Sequence, residues 1–196
     1  MITFDKEAVI KQLQEYPADV DRLVKFLDMS FDTLDKNEFS RLYFGWRGSN
    51  KYASQDSLLT DVLLLSEIDF LSNTEEIFTN TFFNTPIDTI EIPSNIKVIE
   101  ETAFERSRLY SCVISEGLTH IRSNAFYHCE QLENIVIPKT VQRLGDFVFD
   151  RCSSLKEIQY KGTIKQFKNI DVDDLFLAGS SVKRIVCSDG IIKVNE

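Results

Sequence analysis

The chain has 196 residues, 43% of them hydrophobic and 27% charged, with 15 phenylalanines and a formal net charge of −9. This composition supports a hydrophobic core and excludes a wholly disordered chain, and the length fits one domain or a domain with a small companion. The acidity argues against direct nucleic-acid binding, because proteins that bind nucleic acid generally carry a basic face.

Most of the negative charge falls in one window of the sequence. Residues 61–100 hold 8 acidic residues and a single basic one, Lys97, whereas acidic and basic residues nearly balance elsewhere. A surface built from this window would attract the basic groups of a partner.

The sequence carries no feature of secretion or membrane insertion. Its start, MITFDKEAVIKQLQEY, has early acidic residues and no apolar core of a signal peptide, and its longest apolar run, Val62–Leu65, is too short to span a bilayer. The four cysteines form no CxxC pair, which fits free thiols in a reducing compartment. We therefore expect a cytoplasmic protein, in the host cytoplasm if it is phage-encoded, with no membrane contact.

Apolar residues at helical spacing predict three or four short helices in residues 1–60. Two stripes are clearest: Val20, Leu23, Val24 and Leu27, and then Phe39, Leu42, Tyr43 and Trp46. Around Trp46 and Arg47 aromatic and cationic residues alternate, which is typical of an interface hot spot or a stacking site for nucleic acid. The same spacing also fits a buried seam that joins the helices to the next domain.

A repeat of 22 to 23 residues follows the helical segment. Its aromatic marks are Phe82, Phe104, Phe126 and Phe149, with a fainter copy beginning near Leu65. The segments "IDTIEIP" and "LENIVIP" alternate apolar and polar residues, as a strand with one buried face does. One copy cannot bury its own apolar face, so the copies must stack. The repeat therefore predicts a short solenoid with a parallel sheet on one face.

The repeated pattern IxxxAFxxCxxLxxIxIPxxVxxI resembles the BspA-like (Treponema-type) leucine-rich repeat family over about residues 65–192. The tail, with "YKGTIKQFKNI" and "CSDG", resembles the terminal segment of that family. The resemblance implies a leucine-rich-repeat solenoid used for protein binding, often on cell surfaces.

These observations predict an α+β protein in which a small N-terminal helical domain precedes a short leucine-rich-repeat solenoid with a parallel β-sheet face and a C-terminal cap. We assign residues 1–60 to the helical capping domain, 61–160 to the repeats and 161–196 to the C-terminal cap. The helices would cover the open edge of the first coil, which could otherwise aggregate.

Cys129 and Cys152 lie three residues after successive phenylalanines, where small buried side chains would stack. In the two preceding copies we place this slot at Arg106 or Ser107, and at Asn84. Cys129 next to His128 could also be a thiol nucleophile with its base, or part of a zinc site, but the spacing favours packing. The stretch "NIDVDDLF" lacks the glycine and the closing glutamate of a calcium loop, so we interpret it as a solvated helix start. We expect no metal and no cofactor.

The residues between the buried positions of each strand form the candidate binding surface. An acidic patch in the first two coils gives way to apolar side chains in the middle coils, which suits a partner protein with a basic surface. The alternative is that these charges only solvate the sheet. The protein-binding candidates are Glu67, Asp69, Asp88, Glu91, Tyr110, Val113, Glu133, Val136, Trp46 and Arg47.

We therefore predict a non-enzymatic protein-binding module, with a small intracellular inhibitor or effector as one form of it, for example in counter-defence by a phage or mobile element. An enzyme with its site in the helical segment is the first alternative, although that segment lacks His and Cys. A self-assembling structural component is the second alternative. The sequence does not define the oligomeric state.

Overall fold

The computed structural model describes residues 2–4, 74–85 and 87–194. In these ranges a single helix, α1 (Ile164–Phe167), lies between the ninth and tenth strands. In chain order the strands are β1 (Ile2–Phe4), β2 (Glu76–Ile77), β3 (Ile87–Ile92), β4 (Val98–Ile99), β5 (Ser111–Ile114), β6 (His120–Ile121), β7 (Asn134–Ile137), β8 (Arg143–Leu144), β9 (Glu157–Tyr160), β10 (Asp171–Val172), β11 (Arg184–Cys187) and β12 (Gly190–Lys193).

The strands form two sheets along a solenoid. The larger sheet has the order β1-β3-β5-β7-β9-β11-β12, in which β3 to β11 are parallel and the two outer strands are antiparallel to their neighbours. The smaller sheet is parallel throughout and has the order β10-β8-β6-β4-β2. The predicted solenoid with a parallel sheet is therefore confirmed, and a second sheet of two-residue strands is added to it.

The core is a set of side-chain stacks that run from coil to coil. Phe82, Phe104, Phe126 and Phe149 are all completely buried, and their ring centroids lie 4.7, 4.9 and 5.6 Å apart in succession. These distances suit offset aromatic stacking. The isoleucines of the long strands are buried on the same side, including Ile92 and Ile114. The spacing of 22 to 23 residues is thus the length of one coil.

The outer turns are held by residues in the left-handed backbone region. Positive φ angles occur at the non-glycine residues Asn80, Asn84, Thr102, Arg106, Asn124, His128, Phe147 and Arg151. This region is unfavourable for most L-residues, so it needs compensation from neighbouring structure. Here the N–H of Arg106 donates to the Tyr127 carbonyl of the next coil at 2.9 Å, and that of His128 donates to the Asp150 carbonyl at 2.8 Å. These bonds between coils hold the backbone, so the side chains at these turns can vary.

Residues 161–194, expected as a C-terminal cap, add one more strand to each sheet before β12 turns back along β11. Helix α1 is inserted into this last coil, with Thr163 as its N-cap in a capping box with Gln166. The Asp189 carboxylate accepts a hydrogen bond from the Ile164 N–H at 2.7 Å, so the β11–β12 turn is tied to the helix start. The "CSDG" motif thus has a structural role.

The aspartates of "NIDVDDLF" do not begin a helix, so that expectation is wrong. Asp171 lies in β10, and both Asp171 and Asp173 form ion pairs with Arg143 of β8. The pairing neutralises charge between adjacent coils of the smaller sheet. Among the described residues, no group of three or more His, Cys, Asp or Glu side chains is arranged to hold a metal ion.

The predicted N-terminal helical domain lies outside the described residues, apart from residues 2–4, which are a strand. That strand, β1, pairs with β3 on the edge where the repeat pattern places the copy near Leu65. The edge of β3 is therefore covered by an antiparallel strand. In the part of the chain that the structure describes, no helix is long and apolar enough to cross a membrane.

Replacing Gly162 by Ala should destabilise the last coil by about 1–3 kcal/mol, the usual cost of overpacking a buried site. A Cβ atom at Gly162 would lie 2.6 Å from the Tyr160 ring, which is held against Phe167 with centroids 5.2 Å apart. Urea denaturation measures the change, and Ser188→Ala, at an exposed position nearby, is the matched control. Equal stability of the two variants would contradict the prediction.

Candidate protein-binding face

The exposed side of the larger sheet is formed by rows of side chains that cross the strands in register. One row begins at Glu91 and is extended by strand pairing to Val113, Val136, Gln159, Val186 and Ile191. Four of its six members are aliphatic, and Ile191 at its end is 55% exposed. We call its aliphatic members the apolar band, which is in contact with solvent: Val113, Val136, Val186 and Ile191.

A second row lies at the start of the strands and carries more charged residues than either of the other two rows. It consists of Asp88, Tyr110, Glu133, Lys156 and Lys183, which occupy the same position in successive coils. The Tyr110 N–H donates to the Asp88 carbonyl at 2.7 Å, and the Glu133 N–H donates to the Tyr110 carbonyl at 3.0 Å. Tyr110 is 42% exposed, which makes it an accessible aromatic side chain of a kind enriched at protein interfaces.

A third row lies between these two and ends in a basic group. Thr89, Ser111 and Asn134 pair in register, and at the other end Glu157, Arg184 and Lys193 do the same. Arg184 Nε donates to Glu157 Oε2 at 2.7 Å, and Gln159 Nε2 donates to Glu157 Oε1 at 2.6 Å. These bonds fix the Glu157 carboxylate within the face.

The charge of the face changes sign from one end to the other. The β3 end carries Asp88 and Glu91, and the middle carries Tyr110 and the apolar band. Among the described residues, the opposite end has one carboxylate, that of Glu157, and four cations: Lys156, Lys183, Arg184 and Lys193. Sequence reasoning placed Lys156 and Glu157 on the outward side of their strand and missed Lys183, Arg184 and Lys193. The alternation in "VKRIVC" matches "LKEIQY" and could have revealed this end as another face strand.

The structure brings together six of the candidate residues on this face: Asp88, Glu91, Tyr110, Val113, Glu133 and Val136. Glu67, Asp69, Trp46 and Arg47 lie outside the described residues. The candidate face is therefore formed by the larger-sheet strands β3, β5, β7, β9, β11 and β12. We call it bipolar because its β3 end is acidic and its β11–β12 end is basic.

The repeated cysteines are packing residues inside the turns. Cys129 Sγ donates to the Phe104 carbonyl at 3.0 Å, and Cys152 Sγ donates to the Phe126 carbonyl at 3.1 Å. Ser107 fills the slot in the preceding coil, with its Oγ 3.4 Å from Cys129 Sγ. Thr85 fills the slot before that, because it follows Phe82 by three residues and is buried, so the placement at Asn84 is wrong.

The chemistry of the Cys152 thiol opposes a nucleophilic role. Hydrogen bonding with Cys129 and burial raise the pKa of the Cys152 thiol, so it stays protonated at neutral pH. His128 Nδ1 lies 3.2 Å from a Glu130 carboxylate oxygen on the outer turn. The Cys129 and His128 side chains are thus engaged with different partners.

Parallel coils of one strand per sheet, stacked phenylalanines and a solvent-exposed sheet face define a leucine-rich-repeat solenoid, a class of proteins that commonly bind other proteins. The model of the BspA type leucine-rich repeat region, in 6 copies, matches residues 56–195. The chain therefore belongs to this family, as the resemblance of the repeat indicated. Members of the family are typically non-enzymatic binding modules.

The chain is similar in part to a solved structure, that of a leucine-rich cell surface protein from Faecalibacterium prausnitzii A2-165. The two chains are 28% identical, the TM-score is 0.41, and the match covers 52% of this chain and 34% of that one. The chain thus spans about a third of the length of this relative. A comparison with curated proteins gives no match.

Proposed function

We propose that this protein is a non-enzymatic binding module that docks another protein on the exposed face of its larger sheet. The observation that carries the proposal is the apolar band of Val113, Val136, Val186 and Ile191 flanked by charged rows. An apolar centre with a charged surround is the usual composition of a protein interface. Tyr110, in the row at the start of the strands, is the exposed aromatic side chain of this face.

The charge pattern specifies the chemistry of the partner. Asp88 and Glu91 would attract basic groups at the β3 end, as the acidic composition of residues 61–100 suggested. The basic groups at the β9, β11 and β12 end of the face would attract acidic groups of the partner. The partner therefore carries a basic region that meets β3, and its charge changes sign along the direction in which the strands are stacked.

We further propose that the module acts in the cytoplasm as a small inhibitor or effector of its partner, for example in counter-defence by a phage or mobile element. The support is the acidity of the chain, which suits blocking of a basic working surface on another protein. Competition between the module and the normal ligand of the partner would be the mode of inhibition.

The test of docking is recovery of a partner by the tagged full-length protein from its native cell, followed by mass spectrometry. The double variant Asp88→Lys/Glu91→Lys should recover the partner at least tenfold less, because like charges then meet at the β3 end. The variant Glu75→Lys/Glu101→Lys makes the same change in net charge at two exposed positions away from the face. It should recover the partner as the unmodified protein does.

Two results would contradict the proposal. One is equal recovery by the Asp88→Lys/Glu91→Lys variant, which would remove the face from the interface. The other is a recovered partner whose contact region, mapped by chemical cross-linking, lies on the outer turns around Arg106 and Arg151.

A further inference from the structure

The two ends of the bipolar face carry opposite charge, whereas the ends of a face of uniform charge carry the same charge. Its acidic end, with Asp88 and Glu91 on β3, and its basic end, with Lys183 and Arg184 on β11, are separated by three further strands. Adjacent strands lie about 4.8 Å apart, so the two ends are roughly 19 Å from each other. The chain itself therefore carries both members of a complementary pair of charged regions.

A twofold axis parallel to the strands would bring these regions together. Such an axis, placed near β7 and β9, lays the β3 end of one copy over the β11–β12 end of the other. It also keeps each row opposite the same row, so the apolar band of one copy meets the apolar band of the other. An in-plane axis perpendicular to the strands would instead place acid on acid and base on base.

We propose that a second copy of this chain docks on the face, in a twofold face-to-face dimer with the strands of the two sheets nearly aligned. Because each row lies opposite itself, Asp88 of one copy lies opposite the Lys183 end of the same row in the other copy. Glu91 lies opposite Val186 and Ile191, next to Arg184 and Lys193 on the same face. Val113, Val136 and Val186 form the apolar centre. A twofold contact is isologous, so each charge pair occurs twice and charge complementarity is doubled.

The size of the face sets the strength of the contact. Six strands that are each about four residues long cover roughly 29 Å by 13 Å at the usual strand spacing and rise. This is well below the ~800 Å² per partner of a standard stable interface. The dimer is therefore weak and salt-sensitive, and a foreign partner of matching charge layout competes with it for the same face.

Sedimentation velocity of the purified full-length protein over a concentration series tests this inference. We expect the weight-average mass to rise from the monomer towards the dimer with concentration at low salt. The apparent dissociation constant should weaken at least tenfold between 20 mM and 500 mM salt, at the ionic strengths that screen surface charge. The Asp88→Lys/Glu91→Lys and Lys183→Glu/Arg184→Glu variants should each remain monomeric.

A charge-swap mixture separates this arrangement from non-specific association. The two variants mixed in equal amounts should form a heterodimer at low salt, because the reversed acidic end of one meets the reversed basic end of the other. The Glu75→Lys/Glu101→Lys variant is the control and should dimerise like the unmodified protein. A protein that stays monomeric at millimolar concentration, or a dimer that both face variants leave unchanged, would overturn the inference.

The inference uses the same face as the proposed function but requires no foreign partner. Failure of self-association with retained, face-dependent recovery of a partner would overturn the dimer alone. Self-association without any recovered partner would instead contradict the proposed function.

Discussion

Replacing Phe126 by Ala should lower the free energy of unfolding by about 3–5 kcal/mol, the cost of truncating a large buried aromatic residue. The Phe126 ring is completely buried and stacks between Phe104 and Phe149, at centroid distances of 4.9 and 5.6 Å. In a solenoid each coil is stabilised by its two neighbours, so this change weakens two interfaces between coils at once. Chemical denaturation followed by circular dichroism measures the loss.

Two variants provide the comparison for Phe126→Ala. Phe126→Leu keeps most of the apolar volume and should cost less than about 1.5 kcal/mol. Tyr127→Ala changes the adjacent ring, which is only partly buried, and should also cost less than the truncation of Phe126. A loss below about 1 kcal/mol for Phe126→Ala would show that the aromatic stack does not hold the coils together.

The second large effect concerns alkaline pH. Burial raises the pKa of the Cys112 thiol, and hydrogen bonding with Cys129 together with burial raises that of Cys152. The unfolded chain ionises both thiols near their ordinary pKa, whereas the folded chain keeps them protonated. Stability is therefore fully present below about pH 9 and falls as pH rises, by about 1.4 kcal/mol per pH unit for each thiol.

Urea denaturation between pH 7 and 10.5 measures this dependence. Cys112 takes the place of isoleucine in the core row of Ile90 and Ile135, so Cys112→Val removes one titrating group and keeps an apolar side chain there. This variant should show a shallower fall of stability above pH 9 than the unmodified protein. The same slope in both proteins would show that the Cys112 thiol is not the cause.

The coil repeat could be predicted because the core repeats its chemistry. Phenylalanine recurs at the one position where the rings stack, and strands such as β5 and β7 alternate buried residues with more exposed ones over four positions. The smaller sheet was not predicted because strands such as Val98–Ile99 have two residues, which is too few for an alternation. Its existence depends on the stacking of coils and not on any local pattern.

The acidic and apolar parts of the face were predicted from single strands, whereas most of its basic end was not. Helix α1 lengthens the last coil, so the period breaks after Phe149, and residues 171 and 172 are Asp and Val instead of a further aromatic mark. We assigned residues 161–196 to a C-terminal cap because the tail resembles the terminal segment of the family. The strand register then shows that Arg184 and Lys193 continue the face.

The antiparallel strands β1 and β12 enclose the parallel part of the larger sheet. Every internal coil presents the same register to the coil before it and the coil after it, so one more 22-residue copy inserted between β5 and β7 would fit without altering either end. Each inserted copy would move the acidic and basic ends apart by about 4.8 Å. The number of coils therefore sets the distance between the acidic and basic ends, and a docked surface must match that distance.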